Sequence, residues 1–231
     1  MGAQELSALH LHFLKAVYFA ELEHPRVTLN VLGRSLGVTA PAVSRRAARY
    51  IRRGDLVRDG ACGLALTPKG ERLALRAIRK HEVCEAFLMT VMGYAWYEVF
   101  AVAWRNAIYL PDELVARMAA RAGHPRRCPH GHPIPSPDGH LDMILDRSLT
   151  TLSNGAAGRV SRVFTHNSDV LRYLDALCLR PGSALRVLDR APFNGPLRLA
   201  VRLEEAEERE IAIGTEIASY IHVAVDDGWP A

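Results

Sequence analysis

The sequence predicts a mainly α protein carrying a small β-barrel, arranged as a winged helix-turn-helix head, a helical middle and a β-rich tail. Three observations lead there. Residues Thr28 to Thr67 read as two short helices turning at Gly37, then two short strands around a glycine-bearing tip. From Pro68 to about Arg121 the apolar residues recur at helical spacing. Beyond Thr150 the pattern changes to short alternating runs separated by glycine and proline. The expected boundaries are 1–75 for the head, 76–150 for the middle and 151–231 for the tail.

Leu6, Leu9, Phe13, Leu14, Val17, Tyr18 and Leu22 space a first helix over 5–23, and His24-Pro25 ends it. Thr28 caps a second helix, with Leu29, Leu32 and Leu36 inward and Gly37 in the positive-φ position a helix C-terminus favours. Thr39 caps the third, whose buried side is Val43, Ala47, Tyr50 and Ile51. Leu56–Arg58 and Leu64–Leu66 form the wing, with Asp59-Gly60-Ala61-Cys62-Gly63 as its tip. Thr67-Pro68 opens a long helix through Leu73, Ile78, Val83 and Phe87 to Gly93. Helices from about Trp96 to Leu110 and from Pro111 to about Arg121 follow, then a loop of five prolines over Gly123–Gly139 and a helical turn near Asp142–Arg147. The tail is expected to hold strands at Arg159–Phe164, Leu185–Leu188, Leu197–Leu203, Glu210–Ile213 and Ile221–Val225, with one helix over Asp169–Leu177. The acidic run Glu204-Glu205-Ala206-Glu207-Glu208-Arg209-Glu210 reads as a solvated hairpin turn.

The chain has 231 residues, 49% of them hydrophobic, and a net charge of only +4. Its distribution says more: Arg26 to Lys80 holds thirteen Lys and Arg against three acids, so the remainder is net acidic. A basic head on an acidic chain is the footprint of a nucleic-acid binder. No run approaches the roughly 20 apolar residues of a membrane span. The N-terminus lacks the features of a signal peptide, and the four cysteines form no CxxC pair. A cytoplasmic protein is expected, with no membrane partner.

The exposed start of the third helix would reach base edges through Thr39, Pro41, Ala42, Ser44, Arg45 and Arg46. The planar forks of Arg45 and Arg46 suit guanine O6 and N7, and Pro41 and Ala42 suit a thymine methyl. Arg34, Ser35, Arg49, Arg53 and Arg58 would hold phosphates and fix register. No glycine-rich phosphate loop, HExxH or GxSxG is present, so no catalytic residue is expected.

The fragments LGVTAPAVSRRAARYIRRGDLV, LALTPKGERLA, IRKHEVCEAFL, WYEV, PDEL, CPHGHPIP, YLDALCLRPGSAL and GTEIASYIHV follow one another in an order that resembles the diphtheria-toxin-repressor family of iron- and manganese-dependent regulators. The resemblance spans nearly the whole chain. It implies a winged-helix head, a helical dimerisation and metal-sensing domain, an SH3-like (FeoA-like) tail, and a homodimer on palindromic double-stranded operator DNA.

The resemblance also implies ligand positions. Where the family's primary site has His, Cys or Glu, Glu and His, this chain has Phe100, Trp104, Ala107 and Ile108. The N-terminal ligand position falls on His12, and a Glu of manganese sensors falls on Lys15. Phe, Trp, Ala and Ile side chains cannot ligate a cation, so that site is read as dismantled. His81 and Glu85 stand i, i+4 on one helix face and match the family's second site, where imidazole plus carboxylate suits Mn²⁺, Fe²⁺ or Zn²⁺. The expected reduced site is His81 and Glu85 completed by His12 or His166 and holding Mn²⁺ or Fe²⁺. Cys128, His130 and His132 make a second ligand-rich run, read first as a stiff turn. The leading expectation is a metal-responsive regulator of metal-homeostasis genes. The alternative is a regulator of the same fold that is independent of metal or senses haem or redox state.

Overall fold

The computed structural model describes residues 7–60, 63–202 and 207–225. Ala61 and Cys62 of the expected wing tip, and Glu204, Glu205 and Ala206 of the acidic run, lie outside the described residues. The chain forms two compact units. The first comprises Met1–Cys84, Ala103–Ala120 and Ile134–Leu141; the second comprises Glu85–Val102, Arg121–Pro133 and Asp142–Ala231.

In the first unit, Ser7 caps α1 (Ala8–Glu23) by accepting from the His10 amide. The Thr28 hydroxyl accepts from the Val31 amide at the start of α2 (Leu29–Leu36), and Gly37, at φ 64°, ends that helix. Helix α3 (Ala40–Arg52) follows at once, because Gly33 lets the Val38 carbonyl approach to where a Cβ would stand only 2.8 Å away. The wing is antiparallel β1 (Leu56–Asp59) and β2 (Gly63–Leu66). Thr67 then accepts from the Gly70 amide and opens α4 (Pro68–Thr90). Part of α5 (Val99–Asn106), a 3-10 turn at Ala107–Tyr109 and α6 (Asp112–Arg121) complete the helical layer. Phe13, Leu14 and Val17 of α1 meet Leu32, Val43, Leu56 and Ile78 in the core. Each such fully buried side chain is worth about 1.5–3 kcal/mol of transfer free energy.

Polar groups also fix the head. The fully buried Asp55 carboxylate meets Lys69 Nζ at 2.8 Å, His10 Nε2 at 3.1 Å and Arg53 Nε at 3.4 Å. Two cations, Arg53 and Lys69, and the His10 imidazole, whose pKa burial lowers, come from three segments and make such a buried carboxylate tolerable.

The second unit is sheet-rich. Its strands are β3 (Arg147–Ser148), β4 (Ala157–Val163), β5 (Ala184–Arg190), β6 (Leu197–Arg202), β7 (Glu208–Ile213) and β8 (Ile221–Val225). They pair antiparallel in the order β3-β8-β4-β5-β6-β7. Helix α7 (Ser168–Ala176), capped by Asn167, and the one-turn α8 (Thr215–Ser219) pack against the sheet. The core gathers Leu149, Val160, Leu171, Leu174, Leu185, Leu197 and Ile221.

Several expectations change here. The sheet is open rather than a closed barrel among the described residues: β3 has two residues and no pairing joins it to β7. Closure needs the edge strands to pair, and β7 instead carries Glu208, Arg209 and Glu210 on its exposed edge. "Mainly α" therefore suits only the N-terminal region; a sheet dominates after Arg147. Residues 142–146 carry no regular secondary structure instead of a helical turn, with Asp146 drawn into a network with β4. The helix expected from Trp96 starts at Val99, with the 95–98 segment closed as a turn by Glu98.

Candidate metal centre and nucleic-acid face

The second unit holds one group of three convergent ligand types, Glu85, Cys128 and His130, all buried, each offering an atom within 4.8 Å of the other two. Glu85 comes from α4, and the other two from the proline-rich loop. That loop is tightly built. The Cys128 amide donates to the His132 carbonyl at 2.9 Å, the Gly131 amide to the Cys128 carbonyl at 2.9 Å, and Arg127 Nη1 to the Gly131 carbonyl at 3.2 Å. It is seated on β4, where the Val163 amide donates to the His130 carbonyl at 2.9 Å. Gly131, at φ 87°, permits this seating: a Cβ there would stand 2.0 Å from the Ser161 carbonyl oxygen.

His130 Nδ1 lies 3.4 Å from Glu85 Oε2, and both side chains are almost completely buried. Among the described residues His130 Nε2 is buried without a hydrogen-bond partner. A buried carboxylate, thiol and orphaned imidazole nitrogen at one point fit a divalent cation, which would neutralise the two acidic groups. The expected ligand His166 stands at the edge of this group. Its ring stacks on Phe100 at 3.6 Å and lies 5.9 Å from that of His130. His132 is turned away, its Nε2 3.3 Å from the Val163 carbonyl, and burial, then His166 and His130, push it down to about 3.

Behind the loop, β4 bulges between Val160 and Arg162. The bulge sends Ser161 and Arg162 to Asp146, which accepts from the Ser161 hydroxyl, from Arg162 Nε and Nη2 at 2.7 Å each, and meets His222 Nδ1 at 3.2 Å. Burial pushes the Asp146 carboxyl up, but these donors together outweigh it and hold the group at about 2. The β4 segment on which the loop is seated is thereby tied to Asp146.

The other two expected ligands, His12 and His81, lie in the first unit, outside that group. There Lys15 Nζ stands 3.5 Å from His81 Nδ1 and 4.1 Å from the centroid of the Trp104 ring. Ala107 and Ile108 are buried in the 3-10 turn that follows α5, and their side chains offer no donor.

On the head, Arg34, Ser35, Thr39, Pro41, Ser44, Arg45 and Arg49 are exposed, while Ala42 and Arg46 are half-buried. This leaves the start and the outer side of α3 open to a polyanion. Arg53, expected at a phosphate, is instead paired with Asp55.

Comparison with known proteins agrees with this architecture. The family described as "Iron dependent repressor, metal binding and dimerisation domain" matches residues 67–136, and the FeoA domain matches 147–225. The iron-dependent repressor IdeR of Mycobacterium tuberculosis is 32% identical over 123 residues, 53% of this chain and 54% of that protein. The chain thus spans about half the length of such curated relatives. The diphtheria toxin repressor of Corynebacterium diphtheriae is 26% identical over 188 residues, covering 77% of this chain and 83% of that protein. Among solved structures, a manganese-dependent transcriptional repressor in complex with manganese superposes with a TM-score of 0.85 at 31% identity, over 94% of this chain and 99% of that one. T. acidophilum IdeR superposes with a TM-score of 0.81 at 29% identity, over 98% and 100%. The chain belongs to the diphtheria-toxin-repressor family of metal-dependent regulators.

Proposed function

We propose that this chain is a homodimeric transcriptional regulator that binds palindromic operator DNA through α3 and responds to Mn²⁺ or Fe²⁺. The observation that carries the metal assignment is the burial of Glu85, Cys128 and His130 at one point. These three residues would hold the ion, with His166 nearest at hand as a further donor. When bound, the ion supplies charge neutralisation and a crosslink between α4 and the Cys128–His132 turn. The thiolate shifts preference toward Fe²⁺, and toward Zn²⁺ in vitro. The relatives named as iron- and manganese-dependent repressors support control of metal-homeostasis genes.

In this reading the chain has a head at 1–75, a dimerising and sensing middle at 76–150 and an SH3-like tail at 151–231. Arg45 and Arg46 read guanines, and Arg34, Ser35 and Arg49 hold phosphates. Metal acts only by its differential affinity for the DNA-competent state. Fluorescence anisotropy with the chain's own promoter tests this, with chelator and then with Mn²⁺, Fe²⁺ or Zn²⁺. Tighter binding with metal, lost in Cys128→Ala, is expected; equal affinity in every condition refutes it. A metal-independent regulator is the second reading, favoured by the buried Lys15 beside His81.

A further inference from the structure

The first unit brings two imidazoles, His12 and His81, to one junction, yet the group between them is a lysine. Lys15 is fully buried, which lysines almost never are unless their charge is matched. It stands three residues from His12 and therefore on the same face of α1. Its ammonium sits over the Trp104 ring at 4.1 Å, in cation–π geometry, and 3.5 Å from His81 Nδ1. The rings of His12, Phe19 and His81 close around Trp104 at 4.9, 6.0 and 5.9 Å. One side chain of α1 thus meets groups of α4 and α5.

We propose that the Lys15 ammonium is the resident cation of this junction, holding the three helices together without metal and excluding a divalent ion from His12 and His81. An ammonium donating to His81 Nδ1 occupies the lone pair a metal would need. A second positive centre on either imidazole would lie within a few ångströms of the first, in a site walled by Trp104 and Phe19. Burial, then Lys15 and His81, hold the His12 imidazole down at about 4. The adjoining cavity, about 390 Å³, is lined by His12, Trp104 and Ile108 and adds Arg34 and Arg105, with no carboxylate in its wall. Two histidines that read as ligands are therefore a cation's surroundings already filled. This inference stands apart from the Glu85–Cys128–His130 assignment.

Metal uptake by the full-length protein tests it, read as Co²⁺ absorption and as the metal-dependent shift in melting temperature. The background is Cys128→Ala, which removes the thiolate of the other site. With Lys15 present, this variant is expected to show no metal-dependent shift. Adding Lys15→Glu should restore one equivalent, without thiolate charge transfer and with a rise of several degrees in melting temperature; adding His81→Ala should abolish both. A folded Lys15→Glu, Cys128→Ala protein that takes up no metal overturns the proposal. So does an equivalent retained in Cys128→Ala and removed by His12→Ala or His81→Ala, a comparison that decides the matter even if Lys15→Glu does not fold. An equivalent retained in Cys128→Ala and insensitive to both histidines refutes the triad assignment while supporting the exclusion. Lys15→Met should lower the melting temperature equally with and without metal.

Discussion

Gly131→Ala is the sharpest perturbation of the candidate metal centre, because it removes no ligand. The residue lies at φ 87°, and the added Cβ would fall 2.0 Å from the Ser161 carbonyl oxygen and 2.9 Å from Arg162 Cα. Forcing an L-residue into left-handed backbone costs about 1–2 kcal/mol. The overlap with β4 backbone leaves the loop no choice but to lift. Lifting breaks two hydrogen bonds, His130 carbonyl to Val163 amide and Cys128 carbonyl to Gly131 amide. Each is worth about 0.5–1.5 kcal/mol net, so the total is about 2–5 kcal/mol. A domain of this size loses about 2–4 °C per kcal/mol, which gives a fall of about 4–20 °C in melting temperature. If only about 1.4 kcal/mol of that strain is relieved when the ligands separate, metal affinity falls about tenfold. Differential scanning calorimetry and a competition titration against a chromophoric chelator read the two effects. A Gly131→Ala protein that melts and binds metal like the parent would refute the claim that this glycine seats the ligands.

Other predictions follow from the polar knots and the arginine face. Asp146→Asn should lower the unfolding free energy by about 1.5–3 kcal/mol, since it strips the charge from the acceptor that half-buried Arg162 meets; denaturant melts measure it. Because the Asp146 carboxyl is held at about 2, below its ordinary 3.8, its contribution is complete above pH 3.8 and disappears as pH falls toward 2. Acid titration of the parent and of Asp146→Asn should therefore converge at the acid end. Asp55→Ala should cost about 1–3 kcal/mol by leaving the His10 imidazole, Arg53 and the exposed Lys69 without the carboxylate they face; loss of amide-exchange protection confined to the head checks it. Arg49→Ala should weaken operator binding without changing sequence preference and reduce the salt slope by about one, whereas Arg45→Ala should cost about 1–3 kcal/mol at a single base pair.

Most of the fold was legible because its signals are local. Thr28, Gly37 and Thr67-Pro68 mark helix ends through their own backbone chemistry, and the structure uses each where it stands. The errors lie where distant groups decide. Asp146 stays outside any helical turn because Arg162, Ser161 and His222 claim its carboxylate, and nothing within its own neighbourhood announces them. The one-turn α8 and two-residue β3 are too short for any periodicity to register. The site divides in the same way. The i, i+4 spacing of His81 and Glu85 was visible, but their neighbours were not. Glu85 meets Cys128 and His130 because a loop is docked on β4, and His81 meets Lys15 because three helices cross. Two hints were available: three ligand residues in the short run Cys128 to His132, and a lysine set between Leu14 and Val17 on the apolar face of α1.

The ammonium of Lys15 differs from any bound ion in one further respect: it is attached to the chain by its own four-carbon stem. A free cation obeys mass action, so its occupancy follows its concentration and a chelator can remove it. A tethered one has no concentration to follow and no isotherm to climb. Whatever α1, α4 and α5 gain from it they hold at every metal level, and no change in the cell's ion pool can be read there. In a protein built on this plan, any sensing of metal supply falls to the part of the chain whose cation is free to leave.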